Sequence, residues 1–221
     1  MFGQNKILKP QNHCGNKLDI QEIFFTLQGE GPNVGMPAIF IRLGGCNLAC
    51  SFCDTEFDSY KELNLAQILG QVKDILSQYP KTSLAVITGG EPMRQPIEKL
   101  CQELQNIGLL VQIETNGTIF RNLPEQTQII CSPKISNNQY YKIREDLLPK
   151  ITAFKFIISK DKPYNKISEI GQSKFATPIY LQPMDEYNEN KNKKNLQLAI
   201  DLCKNNGYFL SIQTHKTIGL P

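Results

Sequence analysis

Apolar residues along the chain follow two alternating patterns: short continuous runs and longer stretches with helical spacing. Ala38–Leu43 (AIFIRL) is a short apolar run that predicts a strand ending in Gly44-Gly45. After it, Asn64 is placed to cap a helix whose Leu65, Ile68, Leu69, Val72, Ile75 and Leu76 share one face. Ser83–Ile87 (SLAVI) predicts the next strand, and Thr88-Gly89-Gly90 ends it. Pro96 suits a first helical turn; Ile97, Leu100, Cys101, Leu104 and Ile107 form a second amphipathic face that Gly108 stops. Leu109–Ile113, Gln128–Cys131, Ala153–Ile158 and Pro178–Leu181 predict further strands. Asn195–Asn205 carries Leu196, Ala199, Ile200 and Cys203 on one helical side, and Tyr208–Ile212 closes the series.

Strands alternating with helices point to an α/β fold with a mostly parallel sheet. Six or seven strands are too few for a complete eight-stranded barrel, so a partial, open (β/α) barrel is expected. A flat doubly wound sheet is the competing architecture. No GxGxxG follows the first strand, which weighs against its dinucleotide-binding form. Some connections, notably Asn116 to Gln128, are too short for a full helix. The 221 residues suit one domain, read as residues 19–221, preceded by an N-terminal extension over residues 1–18.

Polar motifs recur at the C-terminal ends of the predicted strands. Gly44-Gly45-Cys46, Thr88-Gly89-Gly90-Glu91-Pro92 and Glu114-Thr115-Asn116-Gly117 follow successive strands. Ser132-Pro133-Lys134, Gln182-Pro183-Met184-Asp185 and Gln213-Thr214-His215-Lys216 complete the set. In parallel α/β architectures ligands and catalytic groups collect on that rim. Six motifs there predict one composite site.

Composition narrows the partners. With 24 Lys+Arg against 21 Asp+Glu, the net charge of +3 is too slight to imply nucleic-acid binding. The one basic run, Lys191-Asn192-Lys193-Lys194, reads as the solvated start of a helix. No stretch approaches the roughly 20 apolar residues that span a bilayer. The polar segment from Met1 to Lys17 lacks the apolar middle of a secretory signal. A cytoplasmic location follows, where thiols stay reduced and open to metals.

Three of the seven cysteines fall within eight residues, as Cys46-Asn47-Leu48-Ala49-Cys50-Ser51-Phe52-Cys53. Cys101, Cys131 and Cys203 sit in apolar elements and read as small core residues; Cys14 is isolated. C-x3-C-x2-C supplies three thiolates where a cubane normally takes four, leaving one iron open to a non-protein ligand. The competing reading is zinc, with His13, Cys14 or His215 as a distant fourth ligand. The cysteine spacing resembles the signature of the radical S-adenosylmethionine (SAM) superfamily, in which the amino and carboxylate groups of SAM fill the open position. The Gly-Gly-Glu-Pro segment resembles the same superfamily: its glycines allow close backbone approach, and Glu91 can accept from the SAM ammonium.

Further segments resemble the 7-carboxy-7-deazaguanine synthase family. They are Ile23-Phe24-Phe25-Thr26-Leu27-Gln28-Gly29-Glu30-Gly31-Pro32, Arg42-Leu43-Gly44-Gly45-Cys46 and Cys53-Asp54-Thr55. Glu114-Thr115-Asn116-Gly117-Thr118, Ser132-Pro133-Lys134, Gln182-Pro183-Met184 and the terminal Gly219-Leu220-Pro221 agree. The likeness runs from about Asp19 to the end. It implies a modified, incomplete barrel of the radical SAM type, a homodimer, and a flavodoxin or ferredoxin-type electron donor. The implied reaction is ring contraction of 6-carboxy-5,6,7,8-tetrahydropterin to 7-carboxy-7-deazaguanine with loss of ammonia, toward queuosine and related 7-deazapurines. The implied cofactors are a 4Fe–4S cluster, catalytic SAM and Mg²⁺.

Carried over by position, the resemblance gives Cys46, Cys50 and Cys53 to the cluster and Thr55 to Mg²⁺, which prefers oxygen donors. Phe52, Asp54, Gly90, Glu91, Ser132, Pro133, Lys134, Gln182, Pro183, Met184 and Asp185 become SAM contacts. Leu27, Gln28, Gly29, Arg42, Thr88, His215 and the terminal carboxylate of Pro221 become pterin contacts, with Arg42 suited to a bidentate grip on a carboxylate. Plainer readings compete: Arg42 facing solvent or pairing with Glu30, His215 satisfying a backbone carbonyl, Pro221 frayed. The arm holding His13-Cys14 has no counterpart in the pattern and is expected to be dispensable for turnover. Activation of a glycyl-radical enzyme is the alternative reaction. A zinc-binding or nucleic-acid module is the non-enzymatic one.

Overall fold

The computed structural model describes residues 5–53, 55–161 and 163–220. They fall into two compact units.

The first unit takes in Met1–Gln28, Gly35–Thr115 and Ile119–Gln128. It contains strands β1 (Lys17–Leu27), β2 (Pro37–Leu43) and β3 (Lys61–Asn64), helix α1 (Leu65–Gln78), strand β4 (Leu84–Gly89), helix α2 (Glu98–Asn106) and strand β5 (Leu110–Thr115). The strand order is β3-β1-β2-β4-β5. β2, β4 and β5 run parallel, while β1 is antiparallel to both β2 and β3. Alternation decides what each sheet face buries. Ile39, Ile41, Leu43 and Ile87 are fully buried on one face; Ala38, Leu84 and Val86 pack on the other beside Phe40 and Leu110. Each large aliphatic hidden this way contributes roughly 1.5–3 kcal/mol.

Asn64 caps α1 as its sequence predicts. Its side chain accepts from Gln67 N–H at 2.9 Å, and the Gln67 side chain accepts from Asn64 N–H at 2.9 Å. α2 starts two residues later than Pro96 suggests. Ile97 is its N-cap, because Gln95 is held extended: the Gln95 amide bonds the main chain of Asp19 and Gly44.

The second unit takes in Gly29–Val34, Asn116–Thr118 and Ile129–Pro221. Its elements are β6 (Gln128–Cys131), the short hairpin β7 (Ile135–Ser136) and β8 (Gln139–Tyr140), β9 (Ala153–Ile158), β10 (Ile179–Pro183), helix α3 (Glu189–Asn206), β11 (Phe209–Leu210) and helix α4 (Thr214–Ile218). β6, β9, β10 and β11 lie side by side and parallel. Asn188 caps α3 by accepting from Lys191 N–H at 3.0 Å, and Gly207, at φ +71°, ends it. The basic run forms the exposed first turns of this helix, as expected.

The α/β class and the mostly parallel strands agree with the sequence. β3 is an edge strand of the first unit and β11 an edge strand of the second. All seven predicted strands are present, as β2, β4, β5, β6, β9, β10 and β11. Two elements of the sheet were not predicted: β1, where a bulge between Ile20 and Glu22 breaks the alternation, and the polar edge strand β3. Cys101 and Cys131 are fully buried, as core residues should be.

Candidate functional site

In the first unit, the cysteine loop leaves the end of β2 and is fixed by main-chain hydrogen bonds. Gly44 N–H donates to Asp19 O at 2.9 Å, and Gly45 N–H to Phe57 O at 2.9 Å. Gly45 has φ +75° and Gly44 lies against the Tyr60 ring, so neither position has room for a side chain. Cys46 is buried and its Sγ accepts from Leu48 N–H at 3.4 Å. Cys50 and Cys53 are half-buried; Cys53 N–H returns to Cys50 O at 3.1 Å, and Cys53 Sγ donates to Thr55 O at 3.5 Å.

The Thr88–Pro92 segment lies directly on this loop. Gly90 N–H donates to Leu43 O and Glu91 N–H to Gly45 O, each at 3.1 Å. A Cβ on Gly89 would overlap the Leu43 carbonyl oxygen, and one on Gly90 would overlap that of Gly45. Glu91 is fully buried. Its Oε1 accepts from Met93 N–H at 3.0 Å and from the Thr115 hydroxyl at 2.7 Å, which fixes the turn after β4.

None of the seven cysteines is in a disulfide. Burial pushes the Cys46 thiol up to about 12; the Leu48 N–H opposes this, and the charges of Glu91, Cys50 and Cys53 add to it. Such a group is a poor free nucleophile. A cationic iron centre reverses both effects, so the donor set suits a metal cluster. Among the described residues no group of three or more His, Cys, Asp or Glu converges to hold a single ion. The thiolates of a cubane each bind a different iron and need no common point.

Arg42 stands opposite Glu22 in the β1–β2 register and beside Thr88 in the β2–β4 register. Its Nε lies 3.0 Å from Glu22 Oε1, and its guanidinium lies 5.5 Å from the centre of the Phe24 ring. The acidic partner is therefore Glu22 rather than Glu30, because the two share a cross-strand position. Leu27 and Gln28 end β1 and follow it; Gln28 N–H donates to Met36 O at 2.8 Å, and Gln28 O accepts from Gly35 N–H at 2.7 Å.

In the second unit, Gly29, Gln182 and His215 gather around a residue that sequence reasoning did not assign to the site. Glu30 Oε1 accepts from Gln182 Nε2 at 3.2 Å and Gln213 Nε2 at 2.8 Å, while its Oε2 meets Lys155 Nζ at 2.5 Å. Burial alone would raise the Glu30 carboxyl. The charge and hydrogen bond of Lys155, the bond from Gln213 and the nearby His215 outweigh that and hold it at about 2. The one available signal was Lys155 itself, a cation inside the otherwise apolar strand β9. The Thr214 N–H and hydroxyl both donate to Gly29 O, at 3.1 and 2.9 Å, and the His215 ring fills the space beside the Gly29 Cα.

The other residues of this unit are held locally. Lys134 Nζ donates to Ser132 O at 2.8 Å and Ser132 Oγ at 2.7 Å, with Pro133 between them. Met184 N–H donates to Ile158 O at 2.8 Å after Pro183 ends β10. Asp185 pairs with Lys216 at 3.0 Å and accepts from Asn192 at 2.8 Å and Tyr187 N–H at 3.0 Å. Those bonds overcome burial and lower its carboxyl. Asp54 and Pro221, both expected at the site, lie outside the described residues.

The family model for the radical SAM superfamily matches residues 40–144. The chain is 53% identical over 224 aligned positions to the 7-carboxy-7-deazaguanine synthase of Rickettsia prowazekii, covering 100% of this chain and 96% of that one. It is 36% identical over 240 positions to the synthase of the same name from Rhodospirillum rubrum, covering 99% of each. The crystal structure of QueE from Escherichia coli superposes with a TM-score of 0.70 at 25% identity, over 89% of this chain and 94% of that one.

Proposed function

The chain belongs to the 7-carboxy-7-deazaguanine synthase family, and from that premise we propose how its residues serve the radical SAM ring contraction of 6-carboxy-5,6,7,8-tetrahydropterin. The observation that carries the assignment is the disulfide-free C-x3-C-x2-C loop, with Cys46 buried and seated on Gly90 and Glu91, within a chain 53% identical to a named synthase. Cys46, Cys50 and Cys53 hold the 4Fe–4S cluster. When bound, that cluster supplies the electron that cleaves SAM, and the hard chemistry belongs to the cofactors.

The protein's own contribution is position. Gly89 and Gly90 keep the end of β4 free of side chains and flush with the cysteine loop, which leaves backbone groups available to SAM. Phe52, Asp54, Glu91, Ser132, Pro133, Lys134, Gln182, Pro183, Met184 and Asp185 are assigned to SAM. Arg42 grips the pterin carboxylate; Glu22 and Phe24 hold its guanidinium flat before substrate arrives. Thr88 is its register neighbour and Leu27, Gln28 and Gly29 offer main-chain groups. His215 contacts substrate from its place against Gly29. Thr55, two residues beyond Cys53, offers an oxygen to Mg²⁺.

The protein works as a homodimer, fed by a flavodoxin or ferredoxin-type donor in the reducing cytoplasm. Phe209, Leu210, Ile212 and Ile218, exposed at the end of the second unit, favour a covered apolar face. No helix among the described residues is long and apolar enough to cross a membrane.

The test is turnover by anaerobically reconstituted protein supplied with SAM, Mg²⁺, reductant and the carboxy-tetrahydropterin. Ring-contracted product with loss of ammonia is expected. SAM cleavage without that product would shift the assignment to glycyl-radical-enzyme activation.

A further inference from the structure

The N-terminal segment has no assigned purpose, yet it lies on the cysteine loop. Leu8 N–H donates to Cys46 O at 2.8 Å, and Ile7 forms a parallel bridge with Cys46. The Asn5 amide reaches Thr55 O at 3.5 Å, on the far side of Cys50 and Cys53 in sequence. A Cβ on Gly45 would come within 2.7 Å of Leu8 Cδ1, so this leucine packs against the turn that presents Cys46.

A buried cation secures the segment from the other side. Arg94 is 2% exposed. Its Nη2 donates to Gly44 O at 3.0 Å and to Asp19 Oδ2 at 3.1 Å, and its Nη1 reaches Lys9 O at 3.5 Å. Gln11 N–H donates to Arg94 O at 2.7 Å, and the Gln11 side chain donates to Asp19 Oδ2 at 2.8 Å. Arg121 completes the clamp by donating to Gln11 O at 2.6 Å and Arg94 O at 3.2 Å. One guanidinium thus ties the segment to the residue two before the first cysteine.

We propose that residues 5–11 are a strap that fixes the main chain of the cysteine loop, with Arg94 as its positioning residue, and that the strap governs how firmly the cluster is retained. The Cys46 carbonyl leaves the same residue whose sulfur holds iron, so fixing that peptide limits the paths by which the thiolate can swing away. The strap meets the loop at both ends, Leu8 at Cys46 and Asn5 at Thr55, so its loss frees the main chain on either side of the three thiolates. The alignment with the Rickettsia prowazekii synthase covers the whole chain, strap included. The proposal runs against the expectation that this arm is dispensable, and the truncated chain below tests the two against each other.

This inference rests on reading Cys46, Cys50 and Cys53 as cluster ligands, and the experiment separates the two. Wild type, Leu8→Ala, Leu8→Pro and a chain lacking residues 1–9 are reconstituted anaerobically. Iron release to a ferrous chelator is timed, and the unfolding of each iron-free protein is recorded. Leu8→Pro lacks the N–H that meets Cys46 O, whereas Leu8→Ala keeps it. The expected result is iron loss at least threefold faster for Leu8→Pro and for the truncated chain, with Leu8→Ala closer to wild type. The apo-protein unfolding midpoint of at least one fast-releasing variant should match wild type. Release at the wild-type rate in both strap variants overturns the strap, as does faster release that only accompanies loss of the apo fold in both. A wild-type protein that takes up iron and sulfide only adventitiously, without charge-transfer absorbance, overturns the cluster reading and the strap with it.

Discussion

Lys155 and Glu30, 125 residues apart, form a buried ion pair with Nζ 2.5 Å from Oε2. The pair stands at the centre of the second unit's polar network, because Gln182 and Gln213 also donate to Glu30. Removing one partner leaves the other charge uncompensated, which costs about 3–5 kcal/mol. Glu30→Gln and Lys155→Met should each lower the unfolding free energy on that scale, and the double variant should lose less than their sum. A denaturant series on apo-protein gives the three numbers, and additivity would remove the coupling.

The same carboxylate gives stability a direction in pH. Its folded value of about 2 lies below the ordinary 4.5, so its contribution is complete above 4.5 and fades as pH falls from 4.5 toward 2. The gap corresponds to on the order of 3 kcal/mol. Wild type should exceed Glu30→Gln most at neutral pH, and the difference should narrow in acid. Apo-protein unfolding at a series of pH values checks this; a gap that widens in acid would reverse the sign.

Glu22 and Phe24 hold the Arg42 guanidinium that we propose grips the pterin carboxylate. A lysine there keeps the charge and loses the fork. Arg42→Lys should raise the Michaelis constant for the pterin by about tenfold, a loss of roughly 1.4 kcal/mol, and leave charge-transfer absorbance intact. Steady-state kinetics alongside the visible spectrum separates substrate binding from cluster assembly.

Gly90→Ala sets a methyl group against the Gly45 carbonyl, and one of the two main chains must yield. Overpacking of this kind costs roughly 1–3 kcal/mol. Reconstituted Gly90→Ala should hold less iron per chain than wild type, because the displaced loop carries Cys46. Iron analysis settles it, and full occupancy with normal unfolding would show that the contact is slack.

Cys46→Ala should abolish the brown absorbance, whereas Cys203→Ala, on the half-buried side of α3, should retain it. Ultraviolet–visible spectra of both variants, reconstituted side by side, provide the comparison. Colour surviving in Cys46→Ala would take that thiolate out of the ligand set.

The strands that order the first unit were legible because they are short apolar runs with glycines after them, and Asn64 announced its helix by side-chain chemistry. β1 was hidden: its bulge shifts the alternation between Ile20 and Glu22, so Ile23, Phe24 and Phe25 read as neither clean strand nor helix. The cysteine loop was legible from spacing alone. Lys155 and Glu30 were not paired, since nothing local links residues so far apart. The strap was illegible for another reason. Its grip on Cys46 is a backbone N–H, which every residue but proline possesses.

The placement of the His215 ring against Gly29 also constrains how the two positions can evolve. Where an imidazole occupies the volume in which any side chain at 29 would begin, position 29 stays glycine for as long as 215 keeps its ring. A methyl group at 29 would demand a smaller residue at 215, so the order of change is set: the ring near one end of the chain must go before the glycine near the other.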